Sequence, residues 1–87
     1  MEHDEMSFVT VTISWHGGMY FAKSKQLQGL FVCAETNDQL SQRLVQAISK
    51  LVYFSEGVKV RVDPVPEAGV FGSDRPVDKF AIHRVAA

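Results

Sequence analysis

The chain has 87 residues, of which 46% are hydrophobic and 22% charged, with a formal net charge of −1 and a sequence pI near 6.3. That length supports one domain and not two, and so small a domain buries only about 60% of its unfolded surface, so a partner or self-association adds noticeably to its stability. The charge balance gives no overall pull towards nucleic acid or anionic membrane, and the one cysteine, Cys33, excludes an internal disulfide framework and a multi-cysteine zinc site.

Residues 1–5 are acidic and polar, unlike the basic opening of a signal peptide. No apolar run approaches the roughly 20 residues that span a bilayer. A soluble, cytoplasmic protein is therefore expected, with residues 1–6 as a disordered tail.

Residues 8–15 (Phe-Val-Thr-Val-Thr-Ile-Ser-Trp) alternate. Val9, Val11, Ile13 and Trp15 share one face, and Thr10, Thr12 and Ser14 the other, which is the pattern of a half-buried strand. His16-Gly17-Gly18 supplies a tight turn, and residues 19–24 form the return strand of a hairpin. After a polar loop at 25–28, the short apolar run 29–35 reads as a third strand.

Thr36 fits a helix N-cap, and Gln39 completes a capping-box pattern three residues on. Leu40, Leu44, Ala47, Ile48, Leu51 and Val52 then recur at spacings of three and four, opposite Gln42, Arg43, Gln46, Ser49 and Lys50. This predicts an amphipathic helix over about 37–54, ending before Gly57. Val58, Val60 and Val62 alternate with Lys59 and Arg61 in a further strand that Pro64 and Pro66 end. Residues 67–78 read as a loop, which leaves 79–85 for a last short strand.

The fold class expected is α+β over a single domain, 1–87: a three-stranded antiparallel meander and one helix, with a right-handed crossover to a parallel fourth strand beside the first. The expected core is Val9, Val11, Ile13, Trp15, Leu40, Leu44, Ile48, Leu51, Val60 and Val62. The uncovered sheet face is expected to carry Thr10, Thr12, Ser14, Lys59 and Arg61.

The segment Tyr20-Phe21-Ala22-Lys23-Ser24, the step Gln28-Gly29-Leu30, and Thr36-Asn37-Asp38-Gln39-Leu40 followed by Leu44, Ala47 and Ile48 resemble the HicB-like antitoxin family. Trp15 is similar to a tryptophan common in one branch of that family. The resemblance covers roughly residues 8–62. Gln28 replaces a frequent proline, Cys33 a frequent acidic residue, and the hairpin turn is short. It implies a non-catalytic domain that neutralises a HicA-type partner, a small basic toxin ribonuclease, by masking its surface. After Val62 nothing reads as the DNA-binding module that family members commonly append, so operator binding by this chain alone is not expected.

The residues themselves offer little chemistry. His3, His16 and His83 are scattered without metal-ligand spacing. Cys33 lies in an apolar strand, where structural cysteines live. Gly17-Gly18 lacks the Lys-Ser/Thr and helix of a phosphate loop. No catalytic, cofactor or metal residue is assigned, and no cofactor is expected.

Tyr20 and Phe21 lie near Lys23 and Lys25, as in sheets that stack bases, but the charge balance weighs against nucleic-acid binding. The third strand is expected to be an unguarded edge, so a homodimer is predicted, with Leu30, Phe31, Phe80 and Ile82 as interaction residues. Two functions lead: an antitoxin-like masking domain, and a stand-alone homo-oligomeric interaction or regulatory domain; nucleic-acid binding stays open as a less favoured third.

Overall fold

The alternating stretch at the start of the chain forms two strands that exchange partners at one residue. A computed structural model describes residues 5–65 and 78–84. In it β1 (Glu5–Thr10) and β2 (Thr12–His16) flank Val11, whose backbone N–H donates to the Asp78 carbonyl at 2.8 Å. Before that point the chain pairs with β6 (Lys79–Arg84), and after it with β3 (Met19–Lys23). Alternation survives the changeover, because Val9 and Val11 are buried and Ile13 partly so.

The β2–β3 hairpin closes through Gly17 and Gly18, with φ of 58° and 83°. Positive φ at both central residues is the requirement of a two-residue turn that matches strand twist. From β3 the chain pairs antiparallel with β4 (Phe31–Ala34) and enters α1 (Asn37–Glu56). The Thr36 hydroxyl accepts from the Gln39 N–H at 3.2 Å, and Gly57 caps the other end at φ 73°, its N–H donating to the Tyr53 carbonyl. The helix runs two residues beyond the predicted 54. Next come β5 (Val60–Pro64) and, beyond the undescribed residues, β6.

The described strands form two three-stranded sheets, in orders β1-β6-β5 and β2-β3-β4, and every pairing is antiparallel. The α+β class stands, but the expected parallel fourth strand beside the first does not. The strand after the helix does run in the direction of β1, since both are antiparallel to β6, yet β6 lies between them. The reason is burial: Phe80 and Ile82 are 0% and 2% exposed, so the last strand needs the centre of a sheet and not its rim. The tail expected over 1–6 is shortened by β1, which begins at Glu5, and Asp78 at the end of the expected loop anchors Val11. Residues 1–4, 66–77 and 85–87, with the remaining tail, loop and strand expectations on them, lie outside the described residues.

The helix packs on β3, β4 and β5. Leu40, Leu44, Ile48 and Val52 from the helix meet Val9, Val11, Ala22, Leu30, Val32, Ala34, Val62, Phe80 and Ile82 in one core. Leu51 and Val60 sit at its margin, as does Ile13. Trp15 was expected inside but is 54% exposed. It lies on the core-side face of the sheet at the hairpin tip, packed on Tyr20 with ring centroids 4.5 Å apart. Alternation assigns a face of the strand; it does not say how far along the strand the helix reaches.

Candidate interaction surfaces

Four features of the described surface present side chains to a partner. The first is the sheet face turned away from the helix. Even-numbered residues of β1 and β2 point there, and the register brings Phe21 of β3 opposite Ser14 and Cys33, and Lys23 opposite Thr12 and Phe31. His16, Phe21 and Phe31 form a row of rings across three strands, with centroids 6.3 and 6.0 Å apart. With Ser14 and Lys23 they line a shallow depression of about 360 Å³.

On the other sheet the same face carries Phe8, with the Lys79 ammonium 4.7 Å from its ring centroid, and Arg61 bonded to Asp63 at 3.0 Å. Thr10, Thr12, Ser14 and Arg61 sit on the uncovered face as expected, whereas Lys59 precedes β5 and lies in no strand.

The second feature is the hairpin end. Tyr20 pairs with Trp15 on one side and Ala34 on the other, so the exposed Trp15 ring, tilted 60° against Tyr20, lies at the same end of the sheet as the β4–α1 junction with β3 between them. That junction carries two exposed carboxylates, Glu35 and Asp38, the latter in the helix's first turn. A carboxylate there is favoured by the helix dipole.

The third is the free edge of β4. Phe31 is 64% exposed on it. The edge is guarded, contrary to the sequence expectation: Arg43 reaches back from the helix, and its Nη1 donates to the Cys33 carbonyl at 2.6 Å. A charged side chain on the outward carbonyl blunts an edge against pairing. The guard lies ten residues along the chain, on a different element, so no reading of the strand's own residues could have found it.

The fourth is a groove of about 530 Å³ at the helix C-terminus, lined by Ser49, Lys50, Tyr53, Phe54, Lys59 and Val60. Phe54 is 80% exposed there.

Of the four expected interaction residues, Phe31 alone is at the surface. Leu30, Phe80 and Ile82 are buried core, because the last strand enters a sheet and Leu30 packs under the helix. Cys33 is half-buried on the open face. His16 ends β2 and is exposed. His83 has a neighbour that the sequence did not reveal: its Nε2 lies 3.6 Å from Asp63 Oδ2.

Arg84 ties three elements together. Its Nε and Nη2 donate to the two Glu56 carboxylate oxygens at 2.7 and 2.9 Å, and its Nη1 to the Ser7 hydroxyl at 2.6 Å. That bidentate bond, helped by the guanidinium charge and opposed by slight desolvation, holds the Glu56 carboxyl below its ordinary range.

Among the described residues no group of three or more His, Cys, Asp and Glu is placed to hold a metal ion, and no helix is long and apolar enough to cross a membrane. No protein-family model, curated protein or solved structure matches the chain.

Proposed function

We propose that this chain is a non-catalytic, HicB-like interaction domain that neutralises a small basic toxin ribonuclease of the HicA type by covering its surface. The reading is supported by the hairpin end of the sheet, which carries the exposed Trp15 ring on β2 and, just past the end of β4, the exposed Glu35 and Asp38 carboxylates. Covering a basic protein needs an aromatic anchor and negative charge on a rigid support, and no chemistry. Here the support is a two-residue turn and a capped helix start, both fixed by backbone hydrogen bonds.

Co-expression with a small basic ribonuclease of the HicA type tests the proposal. Trp15 is the chain's one tryptophan, so its fluorescence reports contact at this surface directly. Co-purification and a fluorescence change are expected, with Glu35→Lys plus Asp38→Lys weakening the complex about tenfold or more. No complex, or one indifferent to both Trp15→Ala and the charge reversal, would refute the assignment.

Self-association is the second reading, favoured by the exposed Phe31 on the β4 edge. On this reading two copies pair through β4, and Arg43 must leave the Cys33 carbonyl for them to do so. Light scattering at micromolar concentration, read against the 9.7 kDa of one chain, decides between monomer and dimer.

A further inference from the structure

The open sheet face has a charge and a ring pattern that the whole-chain balance conceals. The chain is acidic by one charge, yet residues 5–65 and 78–84 hold eight lysines and arginines against six aspartates and glutamates. Two of those six, Glu35 and Asp38, lie past the end of β4, and Glu56 is bonded to Arg84. Among the described strand residues of the open face, the cations are Lys23, Arg61 and Lys79, and the carboxylate is Asp63, already bonded to Arg61. The face is therefore locally basic. A second copy of the same face would repel it, so the matching occupant is an anion.

The rings narrow the class of anion. His16, Phe21 and Phe31 stand on three neighbouring strands at 6.3 and 6.0 Å, with Lys23 beside them on the rim of the depression they line. Phe8 and Lys79 repeat the pairing of ring and ammonium on the other sheet. Flat ring faces on a sheet are platforms on which unpaired bases stack, and neighbouring ammonium groups take the phosphates. An acidic peptide would satisfy the lysines and leave the ring faces without planar partners.

We infer that the open sheet face binds single-stranded nucleic acid, its bases stacked on Phe21 and Phe31 and its phosphates held by Lys23 and Lys79. This goes beyond the masking role proposed above and uses a different face from the hairpin end, so a basic protein and an oligonucleotide can be held together.

Fluorescence anisotropy with labelled single strands of about 12 nucleotides, one RNA and one DNA, in about 50 mM salt tests the inference. Saturable binding is expected, tighter than to the duplex of the same sequence and than to a polyglutamate peptide. Phe31→Ala should weaken it about tenfold, and Lys23→Glu or Lys79→Glu should weaken it and flatten its salt dependence by about one phosphate contact each. Phe31 and Lys23 are exposed, so both variants are expected to keep the wild-type far-UV spectrum, and Lys79→Glu supplies an independent arm on the other sheet. Glu35→Lys plus Asp38→Lys, which should break toxin masking, should leave oligonucleotide binding at least as tight as in the wild type, because it adds four units of positive charge. Absence of saturable binding, polyglutamate binding as tightly as the oligonucleotides, or wild-type affinity in the ring and lysine variants would overturn the inference.

Discussion

Leu44→Ala probes the contact on which the whole arrangement depends, the helix against the sheet. Leu44 is fully buried, flanked one turn away on each side by Leu40 and Ile48, which are equally buried. The substitution deletes three carbon groups, worth about 2.4 kcal/mol at about 0.8 kcal/mol each, and the cavity left between helix and sheet raises the total towards about 3–5 kcal/mol. At roughly 0.05–0.15 kcal/mol per residue, a chain of 87 residues has a stability of about 4–13 kcal/mol. The variant should therefore lose about a quarter of its stability or more, and three quarters to all of it at the low end.

Urea unfolding followed by helix circular dichroism is the appropriate assay, because the only tryptophan sits on the exposed hairpin tip and reports poorly on the core. Gln42→Ala, on the exposed side of the same helix, is the control and should stay within about 0.5 kcal/mol of wild type. A Leu44→Ala variant within that same margin, or a control as damaged as the variant, would refute the face assignment.

Gly57→Ala should cost about 1–2 kcal/mol, since a Cβ at φ 73° is strained although nothing crowds it, and the same urea titration measures it. Glu56 has a lower pKa folded than unfolded, so its pairing with Arg84 stabilises the fold fully above the ordinary carboxylate range, and that stability is lost as pH falls through the depressed value. Glu56→Gln should therefore lower stability at neutral pH and make its decline on acidification shallower; an acid limb unchanged from wild type would contradict this. Arg43→Ala should free the β4 edge and raise the apparent mass in light scattering at high concentration, whereas a mass unchanged from wild type would show that Arg43 does not guard it.

The helix was legible because its signals are local: the Thr36 cap, the spacing of Leu40, Leu44 and Ile48, and the Gly57 stop each act within a few residues. The hairpin was legible for the same reason. What escaped the sequence was partnership. Nothing in residues 79–84 announces that Phe80 and Ile82 will sit between β1 and β5, because strand order is decided by non-local contacts, those with β1 some 70 or more residues apart in the chain. The same blindness placed Trp15 in the core and left Arg43 unseen as an edge guard. At the surface, the rings at Phe21 and Phe31 were visible as residues, but the separation of a basic sheet face from an acidic hairpin end exists only once the chain is folded.

The most direct test of the masking role is a titration of a small basic HicA-type ribonuclease with this protein, scored by RNA cleavage. Masking predicts that cleavage falls in proportion to added protein until the two are equimolar, and that Glu35→Lys plus Asp38→Lys restores it. Cleavage undiminished at a molar excess of folded wild-type protein would contradict it.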